Sequence, residues 1–224
     1  MRIILRIGGS VIANPVNSKL IKEYVRILKK LRKDGHEVVA VVGGGNLARE
    51  FINIAKDLKL TESDQDEVAI SVSRLFAQLF IEKLGKLACD SAPVMLEKVA
   101  KCLEEKKIVV MGGLKPGMTT DTVAALVAGQ VGADLLVKAT DQEGIFDKDP
   151  RKQADAVKLD HLTFADLSGV FAENKHKAGI HQIIDPEAVK ILRHSRTKII
   201  VVSGFNPRNV VAAVEGRPVG TVIE

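Results

Sequence analysis

Three glycine-rich turns carry most of the chemistry this sequence can offer. Ile7-Gly8-Gly9-Ser10, Val42-Gly43-Gly44-Gly45-Asn46 and Met111-Gly112-Gly113-Leu114-Lys115-Pro116-Gly117 each close an apolar, strand-like run. Glycine leaves the N–H groups of a turn bare, and bare amides, above all at a helix start, bind phosphate oxygens. One such turn would mean little; three on one chain point to a ligand with several phosphate groups. The third turn runs straight into Thr119-Thr120-Asp121. Two hydroxyls and free amides at a helix start there would receive a phosphate, with Lys115 adding a cation.

Rival readings of the same residues fail on spacing. Gly43 to Ala48 fits the dinucleotide pattern G-x-G-x-x-A, but that turn follows the second strand rather than the first. The acid expected about 20 residues on falls at Ser63–Glu67, inside a helical pattern. Gly112 to Gly117 has the spacing of a P-loop, yet Met118 stands where its lysine belongs. The turn itself reads as type II, with Pro116 at its second position and Gly117 at positive φ. Ser10 lacks a nucleophile elbow, and none of the five histidines has the spacing of a triad or a metal site. Cys89 and Cys102 have no metal-ligand spacing, and read as reduced thiols.

The elements that must position these turns alternate between strand and helix along the whole chain. Strands are expected over 2–7, 37–42, 108–111, 134–139 and 198–202, with weaker ones near 87–89 and 219–223. Helices are expected from the Asn17-Ser18 cap to Gly35, and over 46–58, 63–84, 93–105, 119–131, 163–171 and 186–194, with a last one starting at Asn206-Pro207. Residues 141–160 are polar and read as a long functional loop. Solid apolar strands alternating with helices predict a three-layer αβα sandwich with a mostly parallel central sheet, as one domain over 1–224. In such a sheet the loops at the carboxyl ends of the strands share one rim, so the glycine turns should converge. The helix 63–84 has apolar residues to spare in Phe76, Leu79 and Phe80, which suit either core or an interface.

Composition narrows the class of partner. The net charge of +5 permits an anionic ligand, but no Trp and a single Tyr leave few platforms on which nucleic-acid bases could stack. The Lys29-Lys30 and Arg32-Lys33 clusters fall on the polar face of a helix. The first apolar run is broken by Arg6 and Gly8-Gly9, so it reads as a strand and not a signal peptide, and no apolar run nears the length of a membrane span. A soluble, cytoplasmic protein is expected.

Together these residues resemble the amino acid kinase superfamily and, within it, the uridylate kinases of the compact archaeal type. The likeness runs over essentially the whole chain. Ile7–Ser10 and Val42–Arg49 are similar to the family's first and second phosphate loops, and Gly112 through Ala125 to its monophosphate loop. Ala133–Thr140, Gly144-Ile145-Phe146 and Asp149-Pro150 resemble its ATP strand and loop, and Asp185-Pro186 fits as a helix start. The resemblance implies transfer of the ATP γ-phosphate to UMP, giving UDP and ADP in pyrimidine nucleotide biosynthesis. It also implies a homohexamer, with UMP held by the half before about residue 130 and ATP by 131–224.

Residue by residue, the resemblance assigns Gly9, Ser10, Gly45 and Arg49 to the ATP phosphates, and Thr140, Phe146 and Asp149 to adenine and ribose. Gly44, Asp66, Leu114, Lys115, Pro116, Gly117, Met118, Thr119 and Thr120 are assigned to UMP. Arg74 shares a helix face with Asp66, so it addresses the same substrate or makes a surface ion pair. Arg6 and Lys138 are expected to flank the transferring group, Asp121 to orient them, and Mg²⁺ to arrive on the ATP oxygens, with no protein-held metal. The acceptor is already a phosphate oxygen, so no general base is needed. Arg6 departs from the lysine of many members and is not its equivalent. Asp141 and Gln142 replace a more usual Asn-Val, and Asp141 is read as facing ribose or a metal-bound water. The alternatives are another small-phosphate kinase such as isopentenyl phosphate kinase, whose histidine in the second glycine turn is absent here, or a non-catalytic nucleotide sensor.

Overall fold

Residues 1–167 and 183–224 are described in a computed structural model of the chain; the second half of the helix expected over 163–171 lies outside them, and 164–167 are helical. Strands β1 (Arg2–Ile7), β2 (Glu37–Val42), β3 (Val109–Met111), β4 (Leu135–Thr140) and β8 (Lys198–Ser203) form the parallel body of a seven-stranded sheet. Its order is β3-β2-β1-β4-β8-β9-β7, where β9 is Thr221–Ile223 and β7 is His161–Leu162. Within this sheet, among the described residues, only the β8–β9 pairing is antiparallel. The expected mostly parallel sheet is therefore present.

Strand alternation sorts the side chains into two cores. Ile3, Leu5 and Ile7 of β1 face one core with α2 (Ser18–Lys33), α4 (Glu62–Leu84) and the helix Arg208–Val214. Ile4 faces the other, with α5 (Leu96–Glu104), α6 (Thr120–Val131) and the helix Pro186–Ser195. Helix α2 shows how local and packing terms agree. The Asn17 side chain accepts from Leu20 N–H at 3.0 Å, and Leu20, Ile21, Tyr24, Val25, Leu28 and Leu31 line its buried face. Each such side chain contributes about 1.5–3 kcal/mol on burial. Helix α4 begins with a reciprocal capping box between Thr61 and Asp64, so its start is fixed by two hydrogen bonds. Phe76 and Phe80 of α4 belong to the core, whereas Leu79 is exposed.

Three expectations are corrected. The strand near 87–89 is a 3₁₀ turn over Gly85–Leu87 followed by a single parallel bridge between Ala88 and Ile108. The run is too short, and its sole partner too close to its end, to extend the sheet. Residues 141–160 are not purely loop: β5 (Ile145–Phe146) pairs antiparallel with β6 (Lys158–Leu159), and Ile145 is wholly buried. Cys89 and Cys102 are joined in a disulfide rather than free. The Cys89 N–H donates to Ile108 O at 3.0 Å, which draws its segment beside α5 and sets the two Cα atoms 5.9 Å apart, inside bridging range. No described helix is long and apolar enough to cross a membrane.

Candidate active site

The glycine turns after β1 and β2 touch one another at the carboxyl rim of the sheet. Gly9 opens the short helix α1 (Gly9–Ile12) and Gly45 opens α3 (Gly45–Asp57); neither start has a side-chain cap hydrogen bond. The crossing is so close that a Cβ at Gly9 would stand 2.5 Å from Gly45 Cα and 2.9 Å from the Gly43 carbonyl carbon. Gly45 also has φ of +60°, which favours glycine. Beside this crossing opens a cavity of about 660 Å³. Its lining includes Gly9, Ser10, Gly44, Gly45, Arg49, Thr140 and Asp141, with Arg6, Asp121 and Lys138 at its floor.

The floor is built by strand register. Arg6 of β1 and Lys138 of β4 are direct partners across adjacent parallel strands, on the face that carries α6. Two cations side by side need a counter-charge, and Asp121 in the first turn of α6 supplies it. Lys138 Nζ donates to Asp121 Oδ2, and Arg6 Nε lies 2.7 Å from Asp121 Oδ1. That second contact is an ion pair whose N–H is not aligned on the oxygen. Arg6 Nη2 donates instead to Thr120 Oγ1 at 2.7 Å. Burial would push the Asp121 carboxyl up, but the Arg6 and Lys138 charges outweigh it and hold the group below the usual carboxylate value. Burial pushes Lys138 down to about 8; Asp121 opposes that fall and the Arg6 charge adds to it.

A second, smaller cavity of about 160 Å³ meets the first at Gly44 and Thr120. Its lining includes Asp66, Ile70, Ser73, Gly113 and Met118. Its wall is the segment 113–118, tied down from α4 at several points. Gly117 N–H donates to Asp66 Oδ2 at 2.7 Å, and Gly113 N–H to Ser73 Oγ at 2.8 Å. Arg74 donates to the carbonyls of Gly113 at 3.0 Å and Leu114 at 2.7 Å. The type II turn is present: Met118 N–H donates to Lys115 O, and Gly117 has φ of +77°.

The structure thus gathers most of the residues singled out in the sequence. Arg6, Gly9, Ser10, Gly44, Gly45, Arg49, Thr119, Thr120, Asp121, Lys138 and Thr140 line the larger cavity, and Asp66 and Met118 the smaller. Among the described residues Arg74 makes no ion pair; it holds the wall of the smaller cavity through two carbonyls. Leu114, Lys115, Pro116 and Gly117 form that wall's outer turn without lining either cavity. Phe146 and Asp149 also stand outside the lining. Asp149 accepts from the Arg151 N–H at 3.1 Å and so shapes the bend that carries Arg151 into the larger cavity, where it pairs with Asp141 at 2.6 Å.

Sequence reasoning missed three contributors. Ser73 is buried and anchors Gly113, with its own proton given to Ile70 O at 2.7 Å. Arg151 hides in a polar run rich in charge. Asp185 was legible only as a helix start, yet it also accepts from Thr119 and Thr122 of α6. Among the described residues no group of three His, Cys, Asp or Glu side chains is arranged to hold a metal ion.

Comparison with known proteins agrees with this fold. The profile of the amino acid kinase family matches residues 1–203. The uridylate kinase of Methanocaldococcus jannaschii is 40% identical over 226 residues, covering 100% of both chains. That of Natronomonas pharaonis is 39% identical, over 100% of this chain and 98% of the relative. Among solved structures, the uridylate kinase from Archaeoglobus fulgidus superposes with a TM-score of 0.89 at 36% identity, covering 100% of both chains.

Proposed function

The chain belongs to the amino acid kinase family, and from that premise we propose that it is a nucleoside monophosphate kinase that transfers the γ-phosphate of ATP to UMP, giving UDP and ADP. The observation that carries this reading is the pair Arg6 and Lys138, in register across β1 and β4, at the floor of a larger cavity that meets a smaller one at Gly44 and Thr120. ATP occupies the larger cavity, its phosphates on the amides of Gly9, Ser10 and Gly45 and on Arg49, with Thr140 and the segment carrying Phe146 and Asp149 toward the nucleoside. UMP occupies the smaller, between Asp66, Arg74, Gly44 and the wall Leu114–Thr120.

Phosphoryl transfer spreads negative charge over the equatorial oxygens of the moving group. Arg6 and Lys138 meet that charge with fixed positive groups, and the bare glycine amides meet the remaining oxygens, so little reorganisation accompanies the step. The attacking atom is a phosphate oxygen and carries no proton to remove. Asp121 keeps the two cations in place.

Mg²⁺ fits as a passenger on the triphosphate. The carboxylates facing the larger cavity are already engaged, Asp121 by Arg6 and Lys138 and Asp141 by Arg151. When bound, Mg²⁺ would neutralise phosphate charge. We further propose a homo-oligomer in the cytoplasm, up to the hexamer that the resemblance implies. Phe51 and Ile54 of α3, Leu58 at its C-terminal cap, and Leu75 and Leu79 of α4 are exposed apolar groups that support association.

The test is an ADP-coupled assay offering ATP with UMP, CMP, isopentenyl phosphate or acetylglutamate. Turnover with UMP is expected, and Lys138→Met should lower kcat about 10²–10³-fold, the usual effect of removing one transition-state charge partner. Binding of ATP and UMP without turnover would identify a sensor instead.

A further inference from the structure

Asp185 lies between the first turns of two helices. As N-cap of Pro186–Ser195, its Oδ1 accepts from Ala188 N–H at 2.8 Å. Pro186, at the first helical position, has no N–H to offer. The rest of the carboxylate is free to accept elsewhere, and it reaches across to α6. Oδ2 accepts from Thr119 Oγ1 at 2.5 Å, and Thr122 Oγ1 stands 3.1 Å and 3.2 Å from the two carboxylate oxygens.

A hydroxyl has one proton and two lone pairs. With its proton given to Asp185, the Thr119 oxygen turns its lone pairs to α6. It accepts from Asp121 N–H at 3.1 Å and Thr122 N–H at 3.0 Å. The Asp121 amide is thereby fixed, and the Asp121 carboxylate is the group that Arg6 and Lys138 both face.

On the kinase reading above, we propose that Asp185 is a positioning residue for phosphoryl transfer: by taking the hydroxyl protons of Thr119 and Thr122 it fixes the first turn of α6 and so holds Asp121 between Arg6 and Lys138. Its negative charge also favours the protonated form of Lys138, which keeps that cation available.

Asp185→Asn separates this role from capping. Asn caps helices as well as Asp does, but it replaces one acceptor oxygen with an NH₂ donor, which cannot take a hydroxyl proton. The thermal midpoint should stay within a few degrees, while kcat with ATP and UMP falls about 10- to 100-fold, the size of a hydrogen bond to a charged group. Both KM values should hold within about threefold, and the alkaline limb of the kcat/KM profile should move to lower pH. In the free protein, NMR should show faster exchange of the Asp121 and Thr122 amide protons. Unchanged kcat, pH limb and amide exchange would overturn the proposal. Should Asp185→Asn fail to fold, Thr122→Val carries the test, because it leaves the cap intact. Faster exchange at Asp121 with reduced kcat supports the proposal, and wild-type behaviour in both overturns it. If the wild-type protein does not phosphorylate UMP, the kinase reading falls, whereas amide exchange still decides the positioning claim.

Discussion

A single methyl group at Gly9 should disable the site without unfolding the protein. In Gly9→Ala the three atoms nearest the new Cβ are all backbone: Gly45 N, closest of all, Gly45 Cα at 2.5 Å and the Gly43 carbonyl carbon at 2.9 Å, where ordinary contact begins at 3.4 Å. No flexible side chain can yield, so the two glycine turns must part by about 1 Å, a misplacement that costs about 100-fold in rate. Overpacking of this kind costs about 1–3 kcal/mol, or about 2–4 °C of melting temperature per kcal/mol for a chain of this size. The measurements are ADP release at saturating UMP over a range of ATP, and a calorimetric melt. Gly35→Ala is the control: Gly35 has φ of +86° but open space around it, so it should lose some stability and keep its kcat. A Gly9→Ala enzyme with kcat/KM within threefold of wild type would refute the claim that the crossing of these turns shapes the phosphate site.

Three further outcomes follow from the same geometry. Asp121→Asn leaves Arg6 and Lys138 adjacent without a carboxylate; breaking a buried pair costs about 3–5 kcal/mol. The partial exposure of these side chains puts the expected loss in urea unfolding at the lower end of that range. Because the folded Asp121 value is depressed, its stabilising contribution is present above the unfolded value of about 4 and is lost as pH falls through the lower folded one; the wild-type and Asp121→Asn stability curves should therefore converge in acid. If Lys138 is the proposed cation, burial that lowers it to about 8 should make kcat/KM fall as pH rises through that value; a flat profile to pH 9.5 would refute this expectation. Asp66→Ala frees the Gly117 amide, so KM for UMP should rise about tenfold, the size of a charge-assisted hydrogen bond, while KM for ATP stays constant in the same assay.

Much of this architecture was legible in the sequence because strands and helices alternate with unmixed patterns. The β1, β2 and β4 runs are apolar and short, and Asn17, Thr119 and Asp185 each cap a helix with their own side chains. Convergence of the glycine turns followed from parallel topology alone. What stayed hidden depends on contacts between distant segments. The β5–β6 pair has two residues per strand, too few to show a period. The Cys89–Cys102 bridge needs α5 laid beside the segment that follows α4, a proximity that thiol spacing does not encode. Asp185 reads as an ordinary cap because its reach to Thr119 crosses 66 residues. Ser73 is one polar residue on an otherwise apolar helical face, indistinguishable by pattern from a tolerated core serine.

The register of Arg6 with Lys138 divides the molecule's tasks between rigid and variable parts. The spacing of the two strands that carry the positive groups is set by main-chain ladders at the centre of the sheet. The wall of the smaller cavity, by contrast, hangs from α4 by a few polar ties. On the proposed reading, a descendant of this chain could take up a different phosphate or carboxylate acceptor by exchanging residues 113–118 together with Asp66 and Arg74, and would inherit the strand pair that carries the two cations.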